Sequence, residues 1–89
     1  MAYQPQNLSA LSYANGFTLW HYRTPDAAAT VDNSGYFNGA TPMLRVGDFV
    51  LVNAGVGVLP ESGVVIVLSN ANGVVDVSNL TAFGLSNSD

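Results

Sequence analysis

Two runs of β-prone residues with no polar interruption, Phe49 to Val52 and Val64 to Leu68, constrain the fold of this chain more than any other feature. Side chains of a strand alternate between two faces, so a strand with one wet face reads apolar then polar. An unbroken apolar run asks instead for cover on both faces. The turn Gly47-Asp48 leads into the first run, and Leu44 to Asn53 as a whole is the stretch the rest is arranged around. With 89 residues the chain is one domain, near the size at which a single core is only just sufficient. Part of the missing cover is therefore expected from other copies of the chain.

The charge content points the same way. The chain is 48% hydrophobic but only 9% charged, against about 25% charged residues in an average soluble domain. A small domain has much surface for its volume, so here much of the surface is uncharged and partly apolar, the character of an interface. The formal charge is −4, and Arg23 and Arg45 are the only Lys or Arg residues. Release of counterions from phosphates needs a cluster of such cations, so no nucleic-acid partner is expected. An anionic membrane surface is disfavoured for the same reason. No stretch approaches the roughly 18 apolar residues of a membrane span; the richest, Val46 to Leu59, is cut by Asp48, Asn53 and three glycines. Met1 to Gln6 has neither the basic start nor the apolar core of a signal peptide, so export is not expected. Without cysteine, neither disulfides nor thiolate metal sites support the thin core.

In chain order, residues 1–12 read as an extended N-terminal arm, with a turn near Leu8 to Leu11; Tyr3, Leu8 and Leu11 make it too apolar for a solvated tail. A single β domain over 13–84 follows, and 85–89 is a short polar tail. Asn15-Gly16 punctuates before Phe17 to Arg23, an aromatic and β-branched strand ended by Pro25. Ala27 to Val31 is one helical turn or a short strand. Asp32 to Thr41 is an irregular loop holding Tyr36 and Phe37, and Thr41 to Leu44 reads as a helical turn with Thr41 as N-cap and Pro42 at its first position. Ala54 to Gly63 is a loop, Asn72-Gly73 a hairpin turn between Val64–Ser69 and Val74–Val77, and Leu80 to Phe83 a short last strand. The expected fold is all-β: a small antiparallel β-sandwich or rolled sheet carrying that arm.

Chemistry is sparsely represented. His21 is the single histidine, mid-strand between Trp20 and Tyr22, and reads as a hydrogen-bonded strand residue rather than the base of a Ser-His-Asp set. Asp26, Asp32 and Asp48 stand beside turn residues, where Asp commonly bonds its local backbone. Asp32-Asn33-Ser34-Gly35 lacks the spacing and terminal Glu of an EF-hand, and Gly55-Val56-Gly57 is followed by no Lys-Ser or Lys-Thr. No catalytic residue, metal or cofactor is expected, and an enzyme least of all. Trp20, Tyr22, Tyr36 and Phe37 would, if exposed on a sheet, stack on sugars or anchor a protein; the plainer reading puts Trp20 and Phe37 in the core. Arg23 and Arg45 could pair with Asp48 or another carboxylate.

Phe17-Thr-Leu-Trp-His-Tyr, Asp26-Ala-Ala-Ala-Thr-Val-Asp, Gly35-Tyr-Phe-Asn, Met43-Leu-Arg-Val-Gly-Asp and Ser69-Asn-Ala-Asn-Gly-Val-Val-Asp-Val together resemble a family of short tailed-bacteriophage proteins, typically encoded near the major capsid protein. The likeness runs from about Asn7 to Phe83. It implies a head decoration (cement) protein, a homotrimer placed over the three-fold points on the outer surface of the capsid and made in the host bacterial cytoplasm. The alternative it implies is the base module or adaptor of a head fibre, holding a fibre or host glycans. The expected partners are thus other copies of the chain and the major capsid protein. Tyr3, Leu8, Leu11, Tyr36 and Phe37, with the Val56–Glu61 loop, are the candidate capsid contacts. Trp20, Tyr22, Arg45, Phe49 and Val65 are the candidate contacts between copies.

Overall fold

A computed structural model describes residues 3–83. A 3-10 turn at Pro5–Asn7 enters strand β1 (Leu8–Ala14), and β2 (Phe17–Arg23) returns beside it. A long connection follows, carrying the single helical turn α1 (Ala28–Val31) and a 3-10 turn at Asn38–Ala40. The chain then runs through β3 (Phe49–Ala54), β4 (Glu61–Ala71), β5 (Val74–Val77) and the two-residue β6 (Thr81–Ala82). The strands form one sheet in the order β1-β2-β3-β4-β5, with β6 added beside the start of β4.

Two of its turns have one chemistry. Asn15 and Gly16 take φ of 53° and 87° between the paired residues Ala14 and Phe17; Asn72 and Gly73 take 57° and 78° between Ala71 and Val74. Positive φ at both central residues is the two-residue turn whose twist matches that of flanking strands. The first of these pulls Leu8–Ala14 into the sheet, with one register shift between Ala10 and Ser12. The extended arm expected over 1–12 is therefore, as far as it is described, a 3-10 turn and the greater part of an edge strand.

The fold is mainly β, as expected, but it is neither antiparallel throughout nor a sandwich. β2 and β3 run parallel, with Leu19 opposite Phe49 and Arg23 opposite Asn53. Parallel neighbours need a crossover of a dozen or more residues, and residues 24–48 supply it. That crossover is the second layer. Its Ala28, Val31, Phe37, Ala40 and Leu44 are buried against Tyr22, Val50, Val52, Val65, Val67, Val75 and Val77 of the sheet. A single covering layer on a single sheet is enough to form a core, and no second sheet is needed for it.

Two local expectations shift. Ala28–Val31 resolves as the helical turn. The turn expected at Thr41 begins earlier, at Asn38, and the Thr41 hydroxyl donates to the Asn38 carbonyl at 2.6 Å instead of capping an N-terminus. Asn70 holds this region to the sheet, its amide nitrogen donating to the Thr41 and Leu44 carbonyls at 2.9 and 2.6 Å.

Candidate interaction surface

The pleat that sends Val50, Val52, Val65 and Val67 into the core sends their neighbours to the opposite face. That face carries Phe17 and Leu19 from β2, Phe49 and Leu51 from β3, and Val64, Ile66 and Leu68 from β4. Nothing in the described residues covers it. Phe49 is 41% exposed, Ile66 37% and Leu68 56%, while the Phe17 and Phe49 rings pack on each other at 5.2 Å. The two unbroken runs are thus explained: one face of each is covered by the crossover, and the other is apolar and bare.

One end of this face is fenced by polar groups. Ser62 Oγ donates to Asn53 Oδ1 at 2.7 Å, and the Asn53 amide nitrogen lies 2.8 Å from His21 Nε2. With Oδ1 accepting from Ser62, the amide nitrogen is the donor and the imidazole accepts at Nε2. The row crosses three strands and satisfies itself. His21 is the hydrogen-bonded strand residue expected, and the Ser62 proton is committed to an amide oxygen rather than to a base. Arg23, opposite Asn53, extends the fence.

The turn carboxylates do more than the expected local bonding. Asp48, 1% exposed, accepts from the Thr18 N–H (3.0 Å), the Trp20 indole Nε1–H (3.1 Å) and the Arg45 N–H (3.1 Å). Only the last is local, and Arg45 meets Asp48 through its backbone. Asp32 accepts from the Leu80 N–H at 3.0 Å, 48 residues away. Asp26 accepts the Tyr36 hydroxyl at 2.6 Å, while its other oxygen is buried without a partner. Because Tyr36 donates to that carboxylate, Tyr22 donates to Tyr36 (2.9 Å) and the Gln4 N–H to Tyr22 (3.0 Å). Burial, then the bond to Asp26, raises the Tyr36 phenol far above its ordinary value; burial also raises Tyr3.

This relay explains where several candidate residues went. Tyr3, Tyr22, Tyr36 and Phe37 form one aromatic cluster, with Tyr3 stacked on Tyr22 at 5.6 Å and Phe37 edge-on to Tyr22 at 5.2 Å. Tyr22 and Phe37 are at most 1% exposed, as is Val65, so these three have no surface to offer a capsid, another copy or a sugar ring. In the sequence an aromatic or apolar residue looks alike whether it faces the core or the surface, which is why the expected contacts include these three. Leu8, Trp20, Tyr3 and Tyr36 are half-buried against the core. Arg45 is exposed, as are Leu11 and Tyr13 on the edge strand β1. Phe49 alone of the proposed contacts stands in the bare face.

A second apolar feature is the β3–β4 loop, where Val58 and Leu59 are 80% and 76% exposed. Its base is fixed: the Gly55 N–H donates to the Asp26 carbonyl (2.7 Å) and the Val56 N–H to the Thr24 carbonyl (3.1 Å). Gly55 has φ of 64°, and a Cβ there would strike the Leu59 carbonyl, so the tight base of the tip requires glycine. Among the described residues there is no concave pocket and no group of three or more potential metal ligands, and no helix is long and apolar enough to cross a membrane. Comparison with family models, curated proteins and solved structures found no match.

Proposed function

We propose that this chain is a structural protein of a tailed-phage head, a decoration or cement protein that self-associates and binds the outer surface of the shell. The observation that carries the reading is the bare apolar face around Phe49, Leu51, Val64 and Ile66. A patch of that character on a small protein marks a protein contact. The sequence resemblance supplies the setting, and the acidic charge suits the outside of a shell rather than its packaged genome. Many modest sites on a repeated lattice add to firm attachment, and binding only the assembled shell stabilises it by mass action. The homotrimer implied by the resemblance is one way to bring bare faces together, and a two-fold pair is another.

Of the candidate shell contacts, the Val56–Glu61 loop fits best, because its apolar tip is exposed and held in place before binding. The test is co-sedimentation of the full chain with capsids lacking decoration. The native chain should saturate the shell at a fixed copy number, and Leu59→Asp should reduce occupancy at least tenfold while keeping the native far-UV spectrum. A native chain that stays in the supernatant refutes shell binding. Removing residues 1–11 would be a poorer test, since it takes Tyr3 from the aromatic cluster and half of β1 from the sheet.

A further inference from the structure

We infer that the bare face is covered by the same face of a second copy, about a two-fold axis that sets Arg23 of each copy over Asp76 of the other. This deepens the self-association in the reading above and rests on it, but not on shell binding.

The strand register supplies the geometry. Arg23 lies on β2 opposite Asn53, two residues beyond the His21–Leu51 pair. Asp76 lies on β5 opposite Ser69 of β4, three residues beyond Ile66, which itself pairs with Phe49. Alternation with buried Tyr22, and with buried Val75 and Val77, turns both charged side chains to the bare face. They stand at diagonally opposite corners, roughly 25 Å apart by strand spacing and rise, too far to neutralise each other within one chain. The midpoint of that diagonal falls between β3 and β4, amid Phe49, Leu51, Val64 and Ile66.

That coincidence selects the arrangement. A two-fold axis through the midpoint, lying between the copies and perpendicular to the diagonal, places the apolar quartet on its own image. The same operation brings two Arg23–Asp76 pairs together at the rim. A two-fold contact must be self-complementary in this way, and the face meets the condition in both shape of patch and sign of charge. The strands of the two sheets then cross at roughly 65°, between the aligned and orthogonal classes of sheet packing. The footprint is about 20 by 20 Å, roughly 800 Å² over both copies, which belongs to the weak, transient end of protein contacts.

Sedimentation velocity of the full chain from about 1 to 500 µM, a range wide enough for a weak contact, tests this. The native chain should shift from monomer to dimer. Arg23→Asp and Asp76→Arg should each weaken the dimer about tenfold, and the combined R23D/D76R chain should return to within about threefold of native, since the pairs are restored with reversed sign. Phe49→Glu, at an exposed position, should abolish pairing with unchanged far-UV circular dichroism. A monomer at every concentration sinks self-association altogether. A trimer, or a double variant no better than the singles, leaves self-association standing and overturns the two-fold arrangement.

Discussion

Asp48 offers the sharpest energetic test of how the layers are joined. Its carboxylate accepts three N–H groups, from Thr18 and Trp20 of β2 and from Arg45 at the end of the crossover, and it is 1% exposed. Asp48→Ala leaves all three donors without that acceptor. At about 1 to 1.5 kcal/mol each for partly buried groups, the loss is roughly 3 to 4.5 kcal/mol. A domain of this length has on the order of 4 to 13 kcal/mol in total, so the alanine variant should lose roughly a quarter of its stability or more. Asp48→Asn is more informative. Its oxygen can serve Trp20 and Arg45, but its NH2 then faces the Thr18 N–H, donor against donor, which costs about 1 to 3 kcal/mol. Expressed as a melting temperature, that is a fall of at least 4 °C. Urea titration followed by emission of Trp20, the single tryptophan and a partner of the same side chain, measures it. All variants should be compared at one low protein concentration, because association would add to apparent stability. If Asn and Ala both unfold within 0.5 kcal/mol of the native chain, about the scatter of ordinary surface changes, the carboxylate does not join these elements as described.

Tyr36→Phe removes the donor that Asp26 accepts at 2.6 Å, leaving a buried carboxylate further under-satisfied; a loss of about 1 to 3 kcal/mol in the same titration is expected, and no loss would refute the relay. Tyr36 and Tyr3 are both held above the ordinary phenol value, so the stability they contribute is complete below about pH 10 and is lost as pH climbs beyond it. Absorbance of tyrosinate should therefore show Tyr3 and Tyr36 ionising late, with unfolding, rather than near pH 10. Gly63→Ala would drive a Cβ into the Thr81 carbonyl and Ala82 backbone. It should detach β6 at a cost of about 1 to 3 kcal/mol, seen as lost hydrogen-exchange protection at the Phe83 N–H, which otherwise donates to Ser62 at 2.7 Å.

Strand content was legible in the residues because β-propensity and turn chemistry are local. Phe17–Arg23 and Val74–Val77 appear with the expected bounds, and the Asn72-Gly73 hairpin is where its dipeptide put it. The same dipeptide at Asn15-Gly16 carried the same message, and reading it fully would have placed Leu8–Ala14 in the sheet. Pairing direction was not legible. An unbroken apolar run reads alike beside a parallel or an antiparallel neighbour, and the crossover that decides the matter has only four α-helical residues, too few for a helical period. The interaction surface was half legible: the runs demanded cover on both faces but could not say which face the chain covers itself. That choice depends on register, and it buried Tyr22, Phe37 and Val65 while leaving Phe49 out. Asp32 and Asp48 reach partners tens of residues away, a distance no local turn rule sees.

Hydroxyl-radical footprinting of the full chain over a rising concentration series tests most directly whether the bare face is completed by its own kind. Labelling of Phe49 and Ile66 should fall as copies pair, while Leu59 at the loop tip stays equally reactive. Phe49 and Ile66 labelled at a constant rate across the series would contradict the account.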